Sequence, residues 1–293
     1  MRMRPFGQTG LKVSVLGFGA LQIGDPTLAE PHVARVLNHV LDTGLTLIDT
    51  ARSYGLSEER IGRHLAARRD EFVLSTKVGY DIPGLPDWTH ATVVAGIDAA
   101  RDRLRTDVID IVHLHSCGQD VLRAGEVTRA LGDCIRAGKI RVAAYSGDDA
   151  ALRAAAGSDA FRGFQASVNL CDQQALPVLR TARERGCGTI AKRSLAGRAW
   201  AGGAPVDEAQ AGYRARFAAV RSALQPGIAD WDGFALRFTA FADGVDSVIV
   251  GGASTANVDR NVAAVSLGPL AAEEQRVVHA VYAAHAREWG GLV

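Results

Sequence analysis

The sequence predicts an α/β fold, a single closed (β/α)8 barrel of the TIM type over residues 1–293, with an N-terminal hairpin before it and a C-terminal helix after it. Three observations carry this expectation. Eight short strand-like runs recur along the chain, stretches of helical period separate them, and no Pro/Gly/Ser-rich linker divides the pattern.

The elements follow in order. "FGQTGLKVS", residues 6–14, carries a Thr-Gly turn signal and reads as a short hairpin placed to plug the barrel bottom. The strand-like runs are "VSVLGFG", "TLIDTA", "FVLSTKV", "VIDIVHLH", "RVAAYSG", "FQASVNL", "GTIAKRS" and "DSVIVGG". Between them, "PHVARVLNHVLDTG" ends on a glycine suited to a helix C-cap. "SEERIGRHLAARR" opens on a serine read as an N-cap, with acids in its first turn. "ATVVAGIDAARDRLR", "VTRALGDCIRAGK", "ALPVLRTARERGC" and "GFALRFTAFADG" are further helices, and "EEQRVVHAVYAAHAREW" is a tail helix on the outside. The longest irregular stretch, about residues 197–230, follows the seventh strand and is expected to act as a substrate or cofactor lid.

Composition removes several function classes. Hydrophobic residues make up 47% and charged ones 22%, and a net charge of +1 offers no basic field for nucleic acid. No apolar run approaches the roughly 20 residues that span a bilayer. "MRMRPFGQTG" has no apolar region behind its basic residues, so no membrane partner and a cytoplasmic location are expected. Cys117, Cys134, Cys171 and Cys187 lack metal or disulfide spacing and read as reduced structural thiols.

In a closed barrel, catalytic groups gather at the carboxyl ends of the strands. Asp49, Lys77 and His115 fall at the ends of strands two, three and four, and Tyr54 follows Asp49 by five residues. A phenol with an ordinary pKa near 10 needs a neighbouring cation if it is to give up a proton near neutrality. Lys77 can be that cation, Asp49 can hold it charged, and His115 can hydrogen-bond the oxygen that receives the proton. Taken alone, a buried Asp–Lys pair is a structural bridge and a Tyr is packing; their convergence at one rim marks a site. His113 reads as a core imidazole, and Asp110, of opposite strand parity to His115, as a structural acid facing the helices.

"LIDTARSYGLSEERIG", "STKVG" and "VIDIVHLH" together resemble the aldo-keto reductase superfamily, and the resemblance runs from "RPFGQTGLKVSVLGFGA" to "VGGASTANVDRNV". It implies a (β/α)8 barrel that reduces aldehydes or ketones with a nicotinamide cofactor, or runs the reverse on an alcohol or sugar, without metal. The family's catalytic tetrad maps onto Asp49, Tyr54, Lys77 and His115, with Tyr54 as the proton donor. Ser146 and Gln165 map onto positions that hold the nicotinamide carboxamide, whereas Gly147 stands where relatives have an asparagine. Lys192, Arg193, Ser194 and Leu195 stand where many relatives have an aromatic–Ser–Pro–Leu motif whose ring stacks on the nicotinamide; a guanidinium can stack on a flat ring or clamp a pyrophosphate, and Lys192 and Arg193 are both expected to touch the cofactor, in either role. Gly251, Gly252, Ser254, Thr255, Asn257, Arg260 and Asn261 align with the segment that grips the adenosine end, where Arg260 can supply the charge for a 2′-phosphate. NADP is therefore the first choice of cofactor and NAD the second, and the expected state is a monomer acting on a small-molecule carbonyl or alcohol.

Two other readings bear on the same residues. "HLH" places His113 and His115 on one strand face, as a zinc site of a metal-dependent hydrolase would, but strands five to eight add no histidine. The second is a cofactor-binding barrel that senses redox state or regulates a partner rather than turning over substrate. "YDIPGLPDW" adds Tyr80, Ile82, Leu85 and Trp88 as an apolar wall for a substrate, or as loop packing.

Overall fold

The computed structural model describes residues 1–224 and 227–292. Strands are β1 (Met3–Pro5), β2 (Lys12–Ser14), β3 (Leu16–Gly19), β4 (Leu47–Asp49), β5 (Val73–Val78), β6 (Ile109–His115), β7 (Ile140–Ser146), β8 (Gly163–Ser167), β9 (Gly188–Lys192) and β10 (Ser247–Gly251). Helices are α1 (Glu30–Asp42), α2 (Ser57–Leu65), α3 (His90–Leu104), α4 (Gln119–Ala124), α5 (Glu126–Arg136), α6 (Asp149–Ala156), α7 (Leu176–Glu184), α8 (Glu208–Ala223), α9 (Trp231–Ala240), α10 (Thr255–Ser266) and α11 (Ala272–His285). Strands β3 to β10 close into a parallel barrel, each neighbour in chain order, with β10 completing the ring against β3. All eight strand-like runs thus enter the barrel wall.

The first run is shared between two elements. Lys12–Ser14 pairs antiparallel with β1, and only Leu16–Gly19 joins the barrel. Between them the Ser14 hydroxyl donates to the Leu16 carbonyl at 2.6 Å, bending the chain from hairpin to wall. Phe6, in the turn of this hairpin, is fully buried against Val13, Leu47, Val73, Ile111, Val142, Ala144 and Ile190. Gly188 makes room for it, since a Cβ there would lie 2.4 Å from the Phe6 ring. The hairpin therefore supplies the apolar floor of the barrel.

Strand parity sorts the rest of the lumen. Leu47, Val73, Ile111, Val142 and Ile190 point inward near the floor, and two residues later on the same face come Asp49, Ser75, His113, Ala144 and Lys192. The outward faces of the strands pack on the helices in the large apolar layer that includes Leu16, Phe18, Val36, Ile48, Leu74, Ile97, Val112, Leu131, Phe164 and Val248. Asp110 faces outward as its parity requires, accepting from Arg69 at 2.6 Å and from the Leu74 amide at 2.8 Å, with Arg141 at 3.2 Å. Arg69, in the segment after α2, thus neutralises that acid.

Two local expectations are corrected. Ser57 does not cap α2; its hydroxyl donates to the Ala20 carbonyl and meets Thr50 Oγ1, both at 2.8 Å, tying together the loops after β3 and β4. The stretch 197–230 is not irregular throughout. Nearly half of it is α8, capped by the Asp207 side chain and buried through Tyr213, Phe217 and Val220 against Leu170, Phe234, Phe238 and the tail helix residue Val278. Residues 225 and 226 of that stretch lie outside the described residues. No helix among the described residues is long and apolar enough to cross a membrane.

The hairpin gives a direct test. Phe6→Ala removes a fully buried ring from the barrel floor, and the expected loss is about 3–5 kcal/mol by chemical denaturation, with Phe6→Leu losing far less. A loss below about 1 kcal/mol for Phe6→Ala removes the plug from the account of stability.

Candidate active site

Asp49 is the last residue of β4, and β5 delivers Lys77 beside it. The Lys77 ammonium donates to Asp49 Oδ2 at 2.6 Å and to the Thr50 carbonyl at 2.9 Å, with both side chains only 2% exposed. The other carboxylate oxygen accepts from Ser75 Oγ at 2.7 Å and from Gln165 Nε2 at 3.0 Å. Gln165 in turn accepts from Ser146 Oγ at 2.9 Å. One hydrogen-bonded band therefore crosses the lumen from β5 through β4 to β8 and β7.

Burial alone would raise the Asp49 carboxyl, but attraction to Lys77, helped by His113 and Ser75, outweighs it and holds the group below the ordinary carboxylate range. Burial would likewise lower Lys77, and the adjacent carboxylate turns the balance upward. The pair is thus charged at any neutral pH. Tyr54 sits in the turn after β4, where its amide donates to the Ala51 carbonyl and its carbonyl accepts from Ser57. Lys77 Nζ lies 4.9 Å from the centre of the Tyr54 ring. Burial nonetheless dominates, and with Asp49 also opposing ionisation it keeps the phenol above its ordinary value despite Lys77. In the resting site the proton stays on Tyr54.

His115 closes the rim from the end of β6, edge-on to Tyr54 with ring centres 6.1 Å apart. Burial first, then the Lys77 charge, push its imidazole down to about 3, so it is neutral. His113, one pleat deeper, is fully buried and lies 3.1 Å from Ser75 Oγ; burial pushes it down to about 4. Since Ser75 gives its own proton to Asp49, His113 Nε2 donates to Ser75. With His113 on Ser75 and His115 Nδ1 on the Tyr80 hydroxyl at 2.9 Å, both imidazoles serve the polar band. No group of three or more His, Cys, Asp or Glu gathers as a metal site among the described residues.

The residues expected at a cofactor form a second group, around the ends of β9 and β10. Lys192 is half-buried and donates to Asp148 at 2.8 Å; desolvation lowers its pKa and Asp148 partly restores it. Arg193 is exposed, holds a left-handed backbone at φ 56°, and donates to the Leu292 carbonyl at 2.6 Å. The buried Ser194 hydroxyl has no hydrogen-bond partner among the described residues. A cavity of about 510 Å³ opens beside it, lined by Leu195, Arg198, Gly251, Asn257, Arg260 and Asn261 among others. Gly252 and Ser254 lead into α10, which begins without a side-chain cap, so its first amides are available to an anion. Arg260 bonds Asn257, while Arg198 is held at 2.9 Å by Asp232. A hydroxyl and a cation, Ser194 and Arg260, without a hydrogen-bond partner and a carboxylate partner respectively among the described residues, together with an uncapped helix start, fit the phosphates and ribose of a dinucleotide.

Three groups that act here were not singled out by sequence. Ser75 shares the inward face with Lys77, two residues on, and that parity was a usable signal. Asp148, in the loop after β7, and the Leu292 carbonyl carried no local signal, because each meets its partner only through the fold.

Known proteins show the same pattern. The sequence profile described as the aldo/keto reductase family matches residues 15–283. L-galactose dehydrogenase from Arabidopsis thaliana is 27% identical over 288 residues, covering 91% of this chain and 88% of that protein. 6-Dehydroglucose reductase from Novosphingobium aromaticivorans is 31% identical over 156 residues, covering 49% of this chain and 50% of that protein. Among solved structures, the holo form of an aldo-keto reductase from Bacillus halodurans superposes with a TM-score of 0.82 at 27% identity, covering 96% of each chain.

The two depressed imidazoles set a pH dependence of stability. Their folded pKa values, about 4 and about 3, lie below the unfolded value near 6.5. The unfolded chain therefore takes up protons first as pH falls, and stability present above pH 6.5 is lost on the way down to the folded values. Asp49, whose folded pKa is depressed, loses its contribution only below about pH 4 and does not act in this window. Urea unfolding at pH 7 and pH 5 is expected to differ by roughly 2 kcal/mol from His113 alone. His113→Gln should remove that part of the slope, and an unchanged slope would show that His113 titrates normally.

Proposed function

The chain belongs to the aldo/keto reductase family, and from that membership we propose that it is an NADP(H)-dependent oxidoreductase that reduces the carbonyl of an aldehyde or ketone, or oxidises the corresponding alcohol or sugar, with Tyr54 as proton donor. The observation that supports this most is the buried Asp49–Lys77 pair set beneath the Tyr54 ring. When bound, NADP(H) supplies the hydride. The chain's own residues then have to deliver one proton to the developing alkoxide and hold the oxygen that accepts it.

Tyr54 delivers the proton. Its phenol is protonated at rest, and Lys77 reduces the cost of the phenolate left behind. With Lys77 Nζ 4.9 Å from the ring centre, that attraction favours the phenolate against the burial and the Asp49 charge that oppose it. Asp49 keeps Lys77 charged and fixed, and Ser75 and Gln165 keep Asp49 from turning. His115 is neutral, so it offers the oxygen a hydrogen bond without competing for the proton.

Ser146 and Gln165 would hold the carboxamide end of the nicotinamide, at the barrel mouth where they already bond each other. Lys192, Arg193, Ser194 and Leu195 would flank the nicotinamide and pyrophosphate. Gly251, Gly252, Ser254, Asn257, Arg260 and Asn261 would hold the nucleotide end. Two acids line the same cavity, yet Asp230 caps α9 and Asp232 is neutralised by Arg198. Arg260 is then the cation available to a 2′-phosphate, which favours NADP over NAD.

Tyr54→Phe is expected to fold and bind NADPH normally while kcat for aldehyde reduction falls by about 10²–10⁴. Lys77→Met should lower kcat and move the residual activity to higher pH. Near-wild-type turnover in Tyr54→Phe would remove Tyr54 from the mechanism, and tight NADPH binding with no turnover on a broad carbonyl panel would favour a sensor or regulatory role.

Fluorescence titration reads the cofactor directly. NADPH should bind more tightly than NADH, and Arg260→Ala should weaken NADPH by about tenfold or more while leaving NADH nearly unchanged. Equal weakening of both would place Arg260 elsewhere on the dinucleotide.

A further inference from the structure

Tyr80 stands outside the tetrad, three residues after Lys77, yet its hydroxyl lies on the catalytic histidine. The oxygen is 2.9 Å from His115 Nδ1 and 3.2 Å from Ser53 Oγ, and the two rings stack at 5.6 Å with 25° between their planes. The placement is built by the backbone. Gly79 turns at φ 135°, and its carbonyl accepts from the Trp88 amide at 2.7 Å. A Cβ at Gly79 would strike the Trp88 ring at 2.1 Å, and that indole in turn packs on Tyr80 at 5.5 Å. The loop after β5 is thus folded back so that Tyr80 covers the outer edge of His115.

A neutral imidazole has one N–H, and its position decides what the ring can do. Of the two partners, a phenol is the better hydrogen-bond donor and an imidazole nitrogen the better acceptor. The one phenolic proton has two acceptors in reach, and the shorter contact to the stronger acceptor takes it: the favoured arrangement has the Tyr80 O–H donating to Nδ1 at 2.9 Å, ahead of Ser53 Oγ at 3.2 Å. The proton of His115 then resides on Nε2, the nitrogen that Tyr80 leaves free.

We propose that Tyr80 is a positioning residue that fixes His115 as its Nε2–H tautomer, so that the histidine presents a neutral N–H to the substrate oxygen. The last step of this inference rests on the carbonyl-reduction reading above; the tautomer does not. The depressed imidazole agrees with it, because a ring that stays neutral near neutrality keeps a single, assignable proton.

The experiment reads the tautomer in the resting protein. With ¹⁵N-histidine labelling, and His115→Gln to assign the signal, long-range ¹H–¹⁵N spectra at pH 7 should show His115 as Nε2–H. Tyr80→Phe should populate the Nδ1–H form, whereas Ser53→Ala, which removes the competing acceptor of the Tyr80 proton, should keep the Nε2–H form. An Nδ1–H ring in the wild type, or the same tautomer in Tyr80→Phe, overturns the proposal whatever the enzyme's substrate. In turnover, Tyr80→Phe should lower kcat by roughly 10–100-fold with the NADPH Kd unchanged. It should add nothing in a His115→Gln background. An equal added loss in that background would make Tyr80 a wall of the substrate pocket instead. Failure of the carbonyl reading shows separately, as retained turnover in Tyr54→Phe.

Discussion

The structure is organised around one ion pair buried in the barrel lumen, Lys77 on Asp49 at 2.6 Å. Taking two such charges out of water costs several kcal/mol per ion, and their attraction alone does not reliably offset it. What offsets it here is complete hydrogen bonding. Asp49 has Ser75 and Gln165 on its second oxygen, and Lys77 has the Thr50 carbonyl as a further acceptor. Each of those partners comes from a different strand or strand end, so the pair is satisfied only when the barrel closes in the correct register. The geometry of the ion pair and the closure of the sheet are in this sense the same constraint.

That constraint divides the lumen into layers. Phe6 and the inward residues near the strand starts make a dry floor, and the polar band rests on it. The floor matters to the chemistry because it denies Lys77 and Asp49 a route to water from below. Outside the wall, buried charges do related work for the loops. Arg60 donates to Glu30 and to the carbonyls of Ile23, Asp25 and Leu28, fixing the loop between β3 and α1. Glu58 accepts from Thr76 and Arg103, locking α2 to β5 and α3. The first acid of "SEER", Glu58, therefore braces the element that follows Tyr54 rather than serving only the helix dipole.

How much of this could be read from the chain depends on how local each signal is. Strand parity is local, and it placed Asp49, Lys77, His113 and His115 inside and Asp110 outside. The hairpin was legible from its turn, though not its boundary, because the strand pattern runs unbroken through Val15 while the backbone bends there. Helix α8 was not legible. Its burial is against Leu170, Phe234 and Val278, far apart in sequence, and its glycine and polar residues weaken the helical period. Tyr80 was noticed as an aromatic of the loop after β5, but only the fold shows both its ring and its hydroxyl meeting His115.

The two halves of the site differ in how fully they are formed. The tetrad is complete, with each polar atom of the ion pair engaged. At the cofactor side, Arg193 is held by the carbonyl of Leu292, which also accepts from Tyr213 at 3.0 Å, while the Leu292 amide donates to Asp172 at 3.1 Å. The C-terminal tail therefore occupies one donor of an exposed guanidinium and, through Tyr213 and Asp172, ties itself to α8 and to the loop after β8. An anion reaching Arg193 would exchange that neutral acceptor for a charged one, which is the stronger bond, so the tail and such a ligand would compete for the same side chain.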